Sequence, residues 1–110
     1  MYTLLTVIRK KPEVSTEDFR HFMEHDYGPT YVELPETLEY VQFYLDDLAT
    51  DGAEEPIDAI VRISFASREE MQKALQAEGY QKAHELRKEY MLETSVGIHS
   101  AVVAKELKLV

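Results

Sequence analysis

Apolar and polar positions alternate along four segments of the chain and recur at helical spacing between them. Residues 2–9 (YTLLTVIR) are rich in apolar and β-branched side chains, with Leu4 and Ile8 on one face and Leu5 and Val7 on the other. A strand apolar on both faces is predicted to be covered on both. Lys10-Lys11-Pro12 ends it. Ser15 followed by Asp18 resembles a capping box and opens a helix. Phe19, Phe22, Met23 and then Asp26/Tyr27 follow the i, i+3, i+4, i+7/8 stripe of a helix buried along one side. Gly28-Pro29 is predicted to break that helix, because a residue before proline is pushed out of the α region. A short helical piece, about residues 30–34, should follow before Pro35.

Residues 38–45 alternate strictly, with Val41, Phe43 and Leu45 opposed to Leu38, Tyr40, Gln42 and Tyr44. The stretch DDLATDGAEEP (46–56) carries five carboxylates with Gly and Pro and reads as a solvated loop. Residues 57–65 alternate again: Ile57, Ala59, Val61, Ile63 and Phe65 face one way, Asp58, Ile60, Arg62 and Ser64 the other. Ser67-x-x-Glu70 is a capping box. It starts a helix carrying Met71, Ala74 and Leu75, interrupted near Gly79 and continuing from Tyr80 to about Met91. A last strand is expected over roughly residues 95–107.

The predicted order is βαββαβ, a ferredoxin-like α+β plan in a single domain over residues 1–110. One helix layer covers one face of a four-stranded sheet, yet the strands carry apolar residues on both. A second copy of the same sheet is the simplest cover for the other face, which leads to a homodimeric α+β barrel.

Charge narrows the range of partners. Twelve Lys+Arg against 21 Asp+Glu leave a net charge of −9, with no basic stretch. Nucleic acid and anionic membrane surfaces both need a positive face, so neither is expected as a partner. The absence of Cys removes disulfides, thiolate metal sites and a Cys nucleophile. The N-terminal apolar run is short and its basic residues follow it, the reverse of a signal peptide, so a cytoplasmic location is expected.

Phosphate-loop, nucleophile-elbow, zinc-protease and dinucleotide fingerprints are all missing, and no cofactor is expected. His21 and His25 have the i, i+4 spacing of metal ligands, but with Asp18 they fall opposite the Phe19/Met23 stripe and read as solvated; no metal is expected. Tyr27 lies at the edge of the buried stripe, where its phenol could donate a hydrogen bond or a proton into a cavity between helix and sheet. Asp26 shares that arc, so one of the two should face the cavity. Tyr40, Gln42 and Tyr44 share one face of their strand, and Asp58, Arg62 and Ser64 share one face of the next. As hairpin neighbours the two polar sets could form one pocket floor, with Asp58 as base and Arg62 as oxyanion support. The same residues also suit a strand ion pair and a polar dimer interface. His99 is the only histidine in a predicted strand; His84, near Tyr80 and Arg87 on a helix face, stays unassigned.

Arg9-Lys10-Lys11-Pro12, Phe19, Phe22-Met23, Tyr27-Gly28-Pro29, Leu34-Pro35 and Tyr40-Val41-Gln42, followed by Asp58 and Phe65-Ala66-Ser67, are together similar to the EthD-like family (ethyl tert-butyl ether degradation protein-like) of the dimeric α+β barrel superfamily. The resemblance spans most of the chain. Where that family usually has histidine before Ala/Gly-Pro, this sequence has Tyr27, which with an ordinary pKa of about 10 mostly donates a hydrogen bond. The resemblance implies a homodimer with a small cavity in each subunit and cofactor-free handling of a hydrophobic, oxygenated small molecule. Isomerase, lyase or dehydratase-type proton transfer is the activity it suggests, in catabolic or secondary metabolism. In that reading Tyr27, Asp58 and Arg62 are the catalytic candidates, and Asp26, Tyr40, Gln42, Tyr44 and His99 the substrate-binding ones. A non-catalytic binding or accessory protein, and a cofactor-independent monooxygenase of the antibiotic-biosynthesis type, are the alternatives.

Overall fold

Four strands, β1 (Tyr2–Ile8), β2 (Glu39–Tyr44), β3 (Ala59–Phe65) and β4 (Ile98–Val102), form one antiparallel sheet in the order β2-β3-β1-β4. The computed structural model describes residues 1–46, 48, 56–93 and 97–110. Most of the predicted acidic loop and the start of the predicted last strand therefore lie outside the described residues. The helices are α1 (Thr16–Phe22), α2 (Gly28–Val32), α3 (Arg68–Ala74) and α4 (Glu78–Leu86). The order is the ferredoxin-like α+β plan read from the sequence, with each helical crossover built in two pieces.

Both predicted serine caps form. Ser15 Oγ accepts from the Asp18 amide at 3.0 Å, and Ser67 Oγ accepts from the Glu70 amide at 3.2 Å. Each satisfies an amide that the first helical turn leaves without a partner.

The predicted break at Gly28-Pro29 does not occur. The helix continues from α1 through a wide π turn, Met23–Tyr27, directly into α2, where Pro29 occupies the first turn. Proline is tolerated there because an N–H at that position is not required. The Gly28 amide reaches the Met23 carbonyl, five residues back, as a π turn demands. In the second crossover the interruption falls at Leu75–Ala77, ahead of Gly79, and a single 3₁₀ turn, Arg87–Glu89, closes the helical run.

Register assigns the two sheet faces. Tyr40 pairs with Ile63, Gln42 with Val61, Val61 with Thr6 and Thr6 with Ser100, so these residues share the helix-covered face. Phe19, Phe22, Met23 and Ala83 from the helices pack there against Ile8, Ala59, Val61 and Ile98. The opposite face carries Leu5, Val7, Val41, Phe43, Ile60 and Arg62. Among the described residues it is left uncovered, with Leu5 40% and Phe43 42% exposed. Among the described residues, no helix is long and apolar enough to cross a membrane.

Candidate functional site

A cavity of about 180 Å³ lies between the helices and the covered sheet face. Four tyrosines (Tyr27, Tyr31, Tyr40 and Tyr80) supply its aromatic walls, and Thr6, Ser100 and Arg87 supply further polar groups. The remaining lining is apolar, from Leu4, Val61 and Phe65 to Ile98. Its volume is close to that of an engineered apolar cavity of about 150 Å³ that takes one benzene. One ring-sized group fits.

The helical spacing sets the tyrosines. Tyr27 and Tyr31 are one turn apart across the π turn, and their hydroxyls lie 3.0 Å from each other. Tyr31 stacks on Tyr40 of β2, with centroids 5.5 Å apart and rings 9° from parallel, and meets Tyr80 of α4 edge-on at 6.2 Å. Tyr27 is only 5% exposed. Burial pushes its phenol above the ordinary value of 10, and the Tyr31 hydroxyl and the Arg87 guanidinium offset this only in part. Burial likewise raises Tyr31, and the neighbouring Tyr27 adds to the effect. Tyr40 is raised by burial against the opposing effect of its bond from Gln42. All three phenols are therefore neutral donors near pH 7, because desolvation penalises the phenolate.

Arg87, at the end of α4, stands beside Tyr27 and turns one guanidinium N–H to His84 Nε2 at 2.6 Å. Arginine only donates, so His84 Nε2 accepts and the ring proton resides on Nδ1. That nitrogen is buried and has no partner among the described residues. Burial, then the Arg87 charge, holds the His84 pKa below its usual value, which keeps the ring neutral at pH 7. Tyr80, His84 and Arg87 follow one another at i, i+4 and i+7 on one stripe of the second crossover.

A family model described as EthD domain matches residues 11–89, a span holding all four cavity tyrosines and Arg87. The chain belongs to the EthD domain family. No curated protein matches it. Among solved structures, this EthD domain is similar to an ethyl tert-butyl ether degradation (EthD) family protein from Bacillus halodurans, at 10% identity, covering 96% of this chain and 100% of the other with a TM-score of 0.72. A dimeric ferredoxin-like protein from Jannaschia sp. shares 13% identity over 94% of this chain and 98% of its own, with a TM-score of 0.69. SnoaB, a cofactor-independent oxygenase from Streptomyces nogalater, shares 7% identity over 98% of this chain and 93% of its own, with a TM-score of 0.62. At these identities the likeness extends to the fold alone.

The EthD domain places the eight site candidates in different surroundings. Tyr27 and Tyr40 line the cavity. Gln42 sits behind it, donating from Nε2 to the Met23 carbonyl at 2.8 Å and to the Tyr40 hydroxyl at 3.1 Å. Tyr44 donates in turn to Gln42 Oε1. Asp26 is exposed, so Tyr27 is the inward member of that pair.

Asp58 and Arg62, expected on the pocket floor, do not line the cavity. The hairpin register pairs Gln42 with Val61, and Arg62 pairs with Val41, which puts Arg62 on the uncovered face. There its Nε bonds Glu39 Oε1 at 2.8 Å and its guanidinium lies 5.5 Å from the Phe43 ring centroid. Asp58 Oδ2 accepts from the Lys10 amide at 2.9 Å, tying the turn after β1 to the start of β3. The two polar sets expected to share a floor stand on opposite faces. His99 pairs with Val7 and is also exposed on the uncovered side, whereas its neighbour Ser100 reaches the cavity.

The sequence reading passed over Tyr31, Tyr80, Arg87, Thr6 and Ser100. The signal for three of them was present: Tyr31 repeats Tyr27 at i+4, and Tyr80 and Arg87 flank His84 at helical spacing. Thr6 and Ser100 carry no such mark. They meet across β1 and β4 with hydroxyls 2.8 Å apart, a contact between residues 94 positions apart in sequence.

Proposed function

We propose that this EthD domain is a cofactor-free, homodimeric small-molecule protein. Each subunit takes a ring-sized, oxygenated, largely apolar compound into the tyrosine-walled cavity and stabilises negative charge on one of its oxygens. The observation that carries this reading is the Tyr27–Tyr31 hydroxyl pair, 3.0 Å apart, with the Arg87 cation beside Tyr27 in the same cavity. Neutral donors and a fixed cation in a desolvated pocket favour an enolate or phenolate over its neutral parent. A lowered substrate pKa of that kind underlies isomerase, lyase and dehydratase-type proton transfers. Tyr27 is then the hydrogen-bond donor and acid, Tyr40 an aromatic wall and Arg87 the counter-charge. Asp58 and Arg62, on the other face, have no part in this reading.

The homodimer rests on the uncovered apolar sheet face and on the dimeric state of the ferredoxin-like neighbour from Jannaschia sp.. Two such faces stacked together would bury Leu5, Val41, Phe43 and Ile60.

The test is a panel of phenols and cyclic 1,3-diketones, followed by thermal shift and by ultraviolet absorption for ionisation. Binding with a lowered ligand pKa that Tyr27→Phe and Arg87→Gln both diminish supports the reading. Binding with no change in ligand pKa sinks it.

One observation favours a second reading, a non-catalytic binding or accessory protein. No carboxylate or imidazole is among the described residues that line the cavity, so no side chain there can act as base at neutral pH. A ligand recovered unaltered after long incubation would favour this reading. Oxygen consumption in the presence of a bound phenolate would instead favour the monooxygenase alternative.

A further inference from the structure

A second, wider basin of about 450 Å³ adjoins the tyrosine cavity. Arg87 and Ile98 line both, so these two side chains stand between the spaces. Their linings differ in kind. Among the described residues, the inner cavity is aromatic and apolar, with Arg87 as its one charged lining residue. The basin brings Lys11 and Lys88 to the same Arg87, against one carboxylate among the described lining residues, that of Glu93. Among the described lining residues, three cations to one anion is the reverse of a chain whose net charge is −9. Lys88 already holds one exposed carboxylate, that of Glu85, at 3.1 Å.

The volume of the inner cavity suits one ring. A longer ligand that extends past Arg87 reaches the basin, where a terminal anion meets cations from two different segments of the chain. A guanidinium binds a carboxylate through paired N–H donors, and flanking ammonium groups add further attraction.

We infer that the ligand is an elongated acid, with a ring-sized oxygenated head among the tyrosines and a carboxylate tail held in the basin by Lys11, Arg87 and Lys88. This rests on the proposed reading of the inner cavity and adds the substrate class. Arg87 then serves two ends of one molecule. A neutral ligand of the same length gains nothing from the basin, and Glu93 repels the tail of an acidic one.

Three probes test it by calorimetry on the full chain: 3-(4-hydroxyphenyl)propionate, its primary amide, and 4-methylphenol as a head without a tail. The acid should bind about tenfold more tightly than the amide, a difference in the range of charge-assisted hydrogen bonds. Lys11→Glu with Lys88→Glu should bring the acid down to the amide's affinity, and Glu93→Gln should tighten the acid alone. Equal affinity of acid and amide, or an acid preference that survives the double charge reversal, overturns the inference. If 4-methylphenol binds and responds to Tyr27→Phe in that case, the inner-cavity reading survives without it. If 4-methylphenol fails while the acid binds and responds to the lysines, the basin stands and the inner-cavity reading falls. If none of the three binds, both fall.

Discussion

Gln42 of β2 donates from its amide to the main-chain carbonyl of Met23, 2.8 Å away in the π turn of the first helix. The same carbonyl receives the Gly28 amide, so a side chain of the sheet helps to hold the wide turn that aims Tyr27 into the cavity. The fit is close. A Cβ at Gly28 would stand 2.8 Å from Gln42 Nε2 and 2.8 Å from the Met23 carbonyl oxygen.

Substitution at either end should therefore loosen the turn. Gln42→Leu removes a partly buried donor and should cost about 1–3 kcal/mol in urea unfolding. Gly28→Ala forces a backbone or side-chain shift and should cost about as much, 1–3 kcal/mol, as overpacking does elsewhere. Unchanged unfolding midpoints for both would show that the turn stands without this contact.

Tyr27→Phe keeps the ring that packs on Phe22, with centroids 5.8 Å apart, and removes the hydroxyl facing Tyr31. Stability should fall by only about 1 kcal/mol, the worth of one hydrogen bond. Binding of a phenolic ligand should weaken about tenfold, since a charge-assisted bond to the ligand oxygen is lost. A larger fall in stability than in binding, measured on the same preparation, would make Tyr27 a packing residue.

Alkali should unfold the protein through its tyrosines. Tyr27, Tyr31 and Tyr40 have folded-state pKa values raised by burial, and Tyr44 is pushed up to about 12, again mainly by burial. Above pH 10 the unfolded chain releases phenolic protons that the folded chain retains, so stability falls as pH rises. Their contribution is complete below pH 10 and drains away above it. Tyrosinate absorbance at pH 11 should fall short of the signal of all seven tyrosines until the chain is unfolded with denaturant. A full signal from the folded chain at that pH would mean that the cavity tyrosines are open to solvent.

The uncovered sheet face should report on assembly. Phe43→Asp or Leu5→Asp places a charge where a second sheet would pack, and burying an unpaired charge is costly. Sedimentation should show the proposed dimer for the wild type and a folded monomer for either variant. A wild-type monomer at working concentration would leave the apolar face without the partner proposed for it.

The sequence was informative where its signal is local. Ser15 and Ser67 marked helix starts, and the alternation of Tyr40, Gln42 and Tyr44 placed them together on one face, because strand geometry alone decides which side chains share a side. It misled at Gly28-Pro29. Proline's local preference favours a break, but Pro29 lies in the first turn of α2, and the π turn before it, supported by Gln42 from the sheet, carries the helix past the dipeptide. Tyr80, His84 and Arg87 were visible as a stripe, but nothing in their spacing says what lies opposite that stripe.

Period and capping thus determined the order of elements, and the period of two split β2 and β3 each into two faces. Which face of β3 joins the Tyr40 face of β2 is a matter of register, and only the folded hairpin decided it. Gln42 meets Val61, a one-residue difference from Arg62, and that single step moves Asp58 and Arg62 out of the cavity and brings in Thr6 and Ser100. The physical reason is that a strand's side chains alternate by residue, so pairing register, set by long-range burial, chooses which half of each strand lines a site.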